Sequence, residues 1–302
     1  MDGEEIIAVV KRTRPLHLFS GILLYAMGVG IGDYLGFYID PQTYVLGQVW
    51  VLSLQLGVFY LGDYLGHPPD EGLINRPPFQ VQEEEVWKKL RKEVLLLISA
   101  IFFSLCAAFS VILEWQRGLG ISSAFLMVGF FAGYILRIFP AFRVQASGLG
   151  ECITTLQLVV FVPALGFTLQ VEEYHRLLSL TAFPLFLLHL AMLLVFQLPT
   201  YAADLARRKG SMMTKMGWKN GIFLHNLLVI LAFLVLSLSL FFGFPSRFVV
   251  PVLFALPFGM FQVWYLYKMS QGAPTRWKLL TLTSVVLFLL PAYLFAYSFW
   301  TQ

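Results

Sequence analysis

Apolar residues in this chain form nine continuous runs, each about 20 residues long and bounded by short polar segments. The runs cover residues 16–38, 43–62, 94–114, 119–138, 150–169, 178–198, 220–242, 248–267 and 279–300. An apolar helix of about 20 residues spans the hydrocarbon core of a bilayer. Because the runs are continuous rather than alternating, helices are favoured over β-strands. The pattern therefore predicts an all-α integral membrane protein with nine transmembrane helices.

Composition supports this prediction and excludes a soluble domain. Hydrophobic residues make up 58% of the 302 residues and charged residues 13%, with a mean hydropathy of +0.75. One soluble core of this size could not bury so much apolar surface. The two cysteines, Cys106 and Cys152, both lie in apolar runs, so no disulfide or metal framework is predicted. We expect a single polytopic membrane domain over residues 1–302.

Basic residues are concentrated on one side of the predicted membrane. Of the 21 Lys and Arg residues, 18 lie in five loops, at residues 1–15, 63–93, 137–149, 199–219 and 268–278. The opposite side has only Arg117, Arg176 and Arg247. Since basic loops stay in the cytoplasm, this bias predicts a cytoplasmic N-terminus and an external C-terminus, in the cytoplasmic (plasma) membrane. It also accounts for the basic pI without a nucleic-acid partner.

Two of the basic loops are long and also contain carboxylates. They read "YLGDYLGHPPDEGLINRPPFQVQEEEVWKKLRKEV" and "QLPTYAADLARRKGSMMTKMGWKN". Carboxylates followed by Lys and Arg suit a divalent cation that bridges the protein to a phosphorylated ligand. The alternative is that these charges only mark solvated loops. We expect loops 63–93 and 199–219 to cap an active site.

The segment "GDYLG" occurs twice, at residues 32–36 and 62–66. Asp33 lies near the outer end of the first predicted helix, whereas Asp63 lies at the inner end of the second. The two are about 30 Å apart, the thickness of the hydrocarbon core, and cannot share a site. No longer similarity surrounds the copies, and only the second opens into a charged loop. We interpret the first copy as a chance match.

Four segments carry a family resemblance, in the order "KRTRPLHLFSGILLYAMGVGIGDYLG", "YLGDYLGHPPDEGLINRPPF", "FPAFRVQASGLGECITTLQLVVFVPALG" and "LPTYAADLARRKGSMMTKMG". The first resembles the start of a UbiA-superfamily prenyltransferase, where an Arg-Pro pair precedes the first helix. The second resembles that superfamily's "NDYFD" motif, and the third resembles the "GLGE" segment of its MenA-like branch. The fourth is similar to the second motif, typically "PDYEADKAAGKRTLPVRLG". Together they cover most of the chain.

The resemblance implies a fold and a reaction. The fold is nine helices around a central cavity. The reaction transfers an isoprenyl group from a polyprenyl diphosphate, an allylic diphosphate, to a lipophilic acceptor that is aromatic or a lipid. In the MenA-like branch this implies quinone biosynthesis. Mg²⁺ held by carboxylates of both motifs and basic loop residues neutralise the leaving diphosphate.

Matching the motifs position by position assigns roles to individual residues. The resemblance implies that Asp70 and Asp204 are catalytic and bind the metal, and Asp63 is a third candidate for the metal site. We expect Asp70 and Asp204 to face each other, roughly within 10 Å given Mg²⁺ ligand distances near 2 Å. The residues expected to bind the diphosphate are Arg14, Arg76, Arg143, Arg207, Arg208, Lys209 and Lys215.

Both motifs are incomplete in this chain. Gly62 and Gly66 stand where the first motif has Asn and its first Asp, and Thr200 stands where the second motif has its first Asp. No Asp or Glu occurs from residue 205 to 302, so no later carboxylate can compensate. We therefore expect weak Mg²⁺ binding. The alternative is a non-catalytic UbiA-like homologue that binds an isoprenoid or phospholipid, or that serves as a partner subunit.

A third interpretation, an unrelated transporter, is disfavoured because few charges lie within the predicted spans. Glu151 begins a predicted helix and is a further site candidate, since a carboxylate beside a cavity is often functional. Its alternative is a first-turn charge that the helix dipole favours. His189 and His225 lie in apolar runs, where hydrogen bonds between helices are the expected role.

The predicted topology can be tested with reporter fusions at Arg117 and Arg176. Both reporters should be located outside, because these residues lie in loops of low positive charge. Cytoplasmic signals from both positions would contradict the prediction of nine spans with an internal N-terminus.

Overall fold

A computed structural model describes residues 13–65, 92–139, 142, 147–206 and 210–301 of the chain. Within these ranges the structure is helical and contains no β-strand. The first long helices are α1 (Pro15–Tyr34), α2 (Pro41–Leu65), α3 (Lys92–Arg117), α4 (Ile121–Ile138), α5 (Gly150–Val171) and α6 (Arg176–Gln197). After the short helices α7 (Tyr201–Ala206) and α8 (Met212–Met216) come α9 (Trp218–Ser239), α10 (Ser246–Leu253), α11 (Leu256–Ser270) and α12 (Trp277–Trp300).

Eight of these helices are long and apolar enough to cross a membrane, and α10 with α11 makes a ninth candidate. The helical prediction is therefore confirmed, with one correction for the run 248–267. This run is a broken helix, because α10 and α11 meet at an angle of 42°. Pro257, near the start of α11, has no N–H to continue the hydrogen bonds of α10.

In the parts that the structure describes, the two predicted loops 63–93 and 199–219 are more helical than their polarity indicates. Helix α2 continues to Leu65, so Asp63 lies in its last turn rather than in a loop. The segment 199–219 contains α7 and α8 and then enters α9. Such short helices leave most of their backbone groups without an intrahelical partner, and the capping box of Ser211 and Thr214 satisfies some of those at the start of α8.

Helix α5 changes its hydrogen-bond pattern in the middle. Residues Leu156–Phe161 form a π-helix between α-helical segments at Gly150–Thr155 and Val162–Val171. Pro163 is the second residue of the later α-helical segment and cannot donate a backbone hydrogen bond, so the ladder is interrupted one turn earlier. Single π-helical turns of this kind often occur at functional sites.

Large apolar side chains cover the outside of the bundle. On α4, for example, Ile121 is 90% exposed and Phe125 is 73% exposed. Exposed apolar surface on this scale is stable in lipid and not in water. The described helices therefore belong to an integral membrane protein.

Helices α1 and α5 approach each other closely at Gly28. A Cβ atom on Gly28 would overlap the carbonyl oxygen of Pro163 on α5, which is backbone and cannot rotate away. Only glycine allows the two backbones to come so near, as at other small-residue contacts between membrane helices.

We expect Gly28→Ala to lower the thermal unfolding midpoint in detergent, because overpacking of this kind typically costs about 1–3 kcal/mol. The matched control is Gly32→Ala on the same helix. A Cβ there would lie 3.3 Å from Ile39 Cδ1, a flexible side-chain end. Equal destabilisation of the two variants would contradict a special role for the Gly28 contact.

Candidate functional site

The first group of site residues lies where α1 begins and α2 ends, here called the Arg14 end of the bundle. The Arg14 guanidinium donates a hydrogen bond to Asp63 Oδ1 over 3.2 Å and lies 4.9 Å from the centre of the Phe59 ring. Arg14 also has a left-handed backbone (φ 51°), which is unfavourable before Pro15. The ion pair and the ring contact hold this conformation, so Arg14 of the Arg-Pro pair is joined to Asp63 of the second "GDYLG".

The first "GDYLG" lies at the other end of the bundle. Asp33 is 19 residues beyond Arg14 on α1, or about 28 Å away at a rise of 1.5 Å per residue. Next to it, the hydroxyl of Tyr34 accepts a hydrogen bond from Arg247 over 2.7 Å. The prediction that the two copies cannot share a site is confirmed.

A chain of contacts leads from α1 across α4 to α5. His17 Nε2 lies 3.4 Å from the hydroxyl of Tyr134, and the Arg137 guanidinium lies 5.8 Å from the Tyr134 ring. Arg137 also donates to Thr154 Oγ1 over 2.6 Å. Arg137 and Tyr134 were missed as site residues by sequence reasoning, which treated Arg137 as a topology signal. The sequence did contain one indication of a site role for Arg137, because this charged residue lies in the last turn of an apolar helix, directly before "IFPAF".

Glu151 connects three segments at the Arg14 end. Its Oε1 accepts hydrogen bonds from Gln197 Nε2 at 2.5 Å and from the backbone N–H of Met212 at 3.3 Å. Gln197 Oε1 in turn accepts from the N–H of Met213 at 3.0 Å. The start of α5, the end of α6 and the first turn of α8 are thereby tied together. The second carboxylate oxygen, Oε2, is buried and has no hydrogen-bond partner among the described residues.

The glycine-rich "GLGE" segment allows α8 to sit close to α5. Gly148 has φ +84°, and a Cβ on it would lie 3.4 Å from Met212 Cα and 3.3 Å from Lys215 Cγ. Helix α8 begins with a capping box in which Ser211 and Thr214 bond reciprocally. This arrangement places Lys215, a predicted ligand of the diphosphate, over the start of α5.

Asp204 lies on α7, between the end of α6 and α8. It is only 6% exposed, and its Oδ2 accepts a hydrogen bond from Thr200 Oγ1 over 2.8 Å. Thr200 stands where the second motif has its first Asp, so the substituted residue now orients the carboxylate that remains. Burial of a carboxylate is unfavourable unless it is compensated, which makes Asp204 a strong site candidate.

Several predicted site residues lie outside the described residues. They are Asp70, Arg76, Arg143, Arg207, Arg208 and Lys209. The expected approach of Asp70 to Asp204 therefore stays a prediction. At Gly62 the described structure has room for a side chain, because a Cβ would lie 4.0 Å from the nearest atoms, on Ile138.

The two buried histidines make hydrogen bonds between helices, as predicted. His189 Nδ1 of α6 lies 2.9 Å from Thr155 Oγ1 of α5. His225 Nε2 of α9 lies 3.1 Å from Gln262 Oε1 of α11. Both contacts link neighbouring helices within the apolar interior.

Solved structures share this arrangement of helices. A UbiA homologue from Archaeoglobus fulgidus, bound to GPP and Mg²⁺, matches with a TM-score of 0.68 at 14% identity, covering 98% of this chain and 100% of that one. The chain has the UbiA fold. The apo UbiA homologue from Aeropyrum pernix K1 has a TM-score of 0.62 at 12% identity, with 93% and 96% covered. A structure from work on digeranylgeranylglyceryl phosphate synthase in membranes has a TM-score of 0.66 at 14% identity, with 99% and 100% covered.

No protein-family model and no curated protein matches the chain by sequence. The resemblance drawn from the four segments is nevertheless confirmed at the level of the fold. Its finer part, the MenA-like branch, stays a prediction.

The role of Glu151 can be tested by limited proteolysis. Glu151→Ala removes the acceptor for Gln197 and for the first turn of α8, so trypsin should cleave after Lys215 at least about tenfold faster, given the 1.5–3 kcal/mol of a hydrogen bond to a charged group. Glu151→Gln keeps one oxygen and should be protected to an intermediate degree. Glu172→Ala, at the far end of α5, is the matched control. If both Glu151 variants are cleaved at the same rate as Glu172→Ala and the wild type, Glu151 does not hold this segment.

Proposed function

We propose that this protein transfers an isoprenyl group from an allylic diphosphate to a lipophilic acceptor, aromatic or lipid, within the membrane. The observation that supports it most is the convergence of Arg14, Glu151 and Asp204 at one end of a UbiA fold. A UbiA homologue of that fold was solved with GPP and Mg²⁺, and another structure of it with DMAPP and Mg²⁺. The N-terminus and the Arg14 end face the cytoplasm in this proposal.

The reaction consists of one bond broken and one formed. The allylic C–O bond breaks, and its electron pair leaves with the diphosphate. An electron pair of the acceptor then forms the new bond to the allylic carbon, and the acceptor loses a proton. Departure of the diphosphate requires that its growing negative charge be neutralised. Arg14 and Lys215 supply positive charge among the described residues, and the predicted basic residues of both loops add to it.

A divalent cation fits the residues that remain. Among the described residues no three His, Cys, Asp or Glu side chains cluster as a complete metal site. Mg²⁺ does not require such a cluster, since it is usually bound by one or two carboxylates together with substrate phosphates and water. Asp204 is buried at the right end of the bundle, and Asp70 would be its partner. Bound there, Mg²⁺ would neutralise the diphosphate oxygens.

Asp63 has a different place in this scheme. Its carboxylate accepts a hydrogen bond from Arg14, so it sets the position of that guanidinium. We propose that Asp63 acts mainly through Arg14 and contributes to the metal site only when the diphosphate draws Arg14 away.

The incomplete motifs favour a second candidate function. Gly62 has no side chain to supply an oxygen, although the space beside Ile138 would allow one. Thr200 stands in place of a carboxylate. A homologue that binds an isoprenoid or phospholipid without catalysis, or that serves as a partner subunit, would need the basic residues but not the lost oxygens. The two functions differ in whether binding of the diphosphate depends on Mg²⁺.

Calorimetry in nanodiscs with geranyl thiodiphosphate, an unreactive allylic diphosphate, tests the proposal. Wild-type protein should bind it more tightly with Mg²⁺ than without, and Asp204→Asn should abolish that difference. The double variant Gly62→Asn, Gly66→Asp should strengthen Mg²⁺-dependent binding about tenfold, because each restored oxygen contacts a cation.

Asp33→Ala is the control, since Asp33 lies at the far end of α1, and it should bind as the wild type does. Binding that ignores Mg²⁺ in wild-type protein and in the restored variant would favour the non-catalytic function. Loss of binding in Asp33→Ala alone would mean that the two "GDYLG" copies have been assigned wrongly.

A further inference from the structure

An open cavity lies at the end of the bundle opposite Arg14, where the proposed transfer reaction uses no residue. It has a volume of about 730 Å³ and is bounded by the end of α1, the loop before α2 and the end of α12. Among the described residues that line it are one carboxylate, Asp33 of the first "GDYLG", and the four aromatic side chains Phe37, Tyr38, Tyr44 and Trp300. The volume is typical of a small-molecule site.

The carboxylate of Asp33 lacks a positive partner. Its exposed side chain makes no hydrogen bond or ion pair among the described residues. It also lies in the last turn of α1, which contains no basic residue, and the negative end of the helix dipole disfavours a carboxylate there. A cation bound in the cavity would therefore offset both the charge of Asp33 and the dipole.

Arg247 reaches the same end of the bundle but is engaged elsewhere. Its guanidinium donates to the hydroxyl of Tyr34 over 2.7 Å. It also lies 5.0 Å from the centre of the Tyr34 ring and 5.2 Å from that of Phe248. No ion pair joins it to Asp33 within the part of the chain that the structure describes.

Two aromatic walls of the cavity are held in position by other contacts. Trp300 Nε1 donates to the carbonyl of Ala26 over 2.8 Å, and a Cβ on Gly30 would lie 2.8 Å from the same nitrogen. The Tyr44 ring is perpendicular to that of Trp300, with the ring centres 6.2 Å apart, and it packs against Tyr25 at 5.7 Å. The two rings are therefore fixed at a right angle to each other.

The loop that contains Phe37 and Tyr38 is also tied down. The backbone N–H of Asp40 donates to Gln170 Oε1 over 3.0 Å, and Gln170 Nε2 donates to the Asp40 carbonyl over 3.3 Å. Asp40 Oδ2 accepts from the N–H and the hydroxyl of Thr43, at 2.9 and 2.6 Å. These bonds join the loop to α5 and to the start of α2, so the cavity has a fixed shape.

This lining fits a quaternary ammonium better than other cations. The face of an aromatic ring attracts a cation, and Tyr and Trp are well suited to this contact. A primary ammonium has three N–H donors that need acceptors, and a metal ion needs several oxygen ligands. A quaternary ammonium has no N–H, so one carboxylate and several rings satisfy it.

The surface beside the cavity favours a lipid as the molecule that carries this group. Tyr297 and Tyr293 lie about one and two turns before Trp300 on α12, on the same side of the helix. Both are exposed, and their rings stack with centres 6.0 Å apart. Tyr and Trp are typical of the membrane–water interface, where lipid headgroups lie. Lipid chains can pack along these rings while the headgroup occupies the cavity.

We propose that this cavity binds the quaternary ammonium headgroup of a membrane lipid. The positive nitrogen lies beside Asp33, and its methyl groups pack against Tyr44 and Trp300. Asp33 is about 28 Å from Arg14 along α1, so the inference does not rest on the proposed transfer reaction.

Native mass spectrometry of the full-length protein in detergent tests the site. The lipid probes are phosphatidylcholine and phosphatidylethanolamine with the same acyl chains, which differ only in methylation of the nitrogen. Wild-type protein should bind phosphatidylcholine more tightly. Choline should displace it, about tenfold more effectively than the uncharged isostere 3,3-dimethylbutanol, because only choline makes cation–π contacts.

Variants of the lining separate charge from shape. Asp33→Asn should weaken phosphatidylcholine binding about tenfold, and without lipid it should unfold at the same or a higher temperature, because it removes a charge that the helix dipole disfavours. Tyr44→Leu should also weaken binding, whereas Tyr44→Phe keeps the ring and should retain most of it. The matched control is Glu172→Gln. Glu172 is at the same end of the bundle, directly after α5, and does not line the cavity, so its variant should bind as the wild type does.

Equal binding of the two lipids by wild-type protein would overturn the proposal. So would phosphatidylcholine binding that is unchanged in Asp33→Asn, or that is weakened equally in Glu172→Gln. Choline that binds as tightly as phosphatidylcholine would overturn the assignment to a lipid and indicate a soluble quaternary amine as the ligand.

Discussion

A lipid bilayer has no water to bond with backbone N–H and C=O groups, and most features of this protein follow from that constraint. It makes every long apolar run a helix. Each interruption of a helix leaves backbone groups that must find another hydrogen-bond partner. The break between α10 and α11 and the π-helical turn in α5 both occur beside prolines that cannot donate a hydrogen bond. The π-helical turn follows directly after Thr155 and includes Gln157, so the irregular backbone lies where buried polar side chains meet.

The same constraint places polar contacts at the ends of the helices, and the candidate site lies at the Arg14 end. Arg14 and Asp63 pair there, and Glu151 with Gln197 ties the start of α8 to α5 and α6. Each bond joins segments that are far apart in the sequence, so the two motif regions are held in place by protein contacts.

The incomplete motifs gain a physical interpretation from these contacts. Thr200 lacks the carboxylate of the motif, but its hydroxyl donates a hydrogen bond that orients Asp204. Asp63, which the motif comparison left ambiguous, is held by Arg14.

By itself, the sequence determined that the long apolar runs are helices and that the two "GDYLG" copies lie far apart, because both depend on local apolar length and on distance along a helix. Charge and motif order also led to the UbiA fold and to Asp204. Only the tertiary structure decided which side chains meet. Tyr134 of α4 meets His17 of α1, and Arg137 of α4 meets Thr154 of α5, whereas local patterns show only that each residue lies in or beside an apolar run. The hydrogen bonds of Glu151 with Gln197 and Met212 likewise depend on how three helix ends pack against each other. The pattern of residues along a single helix does not predict that packing.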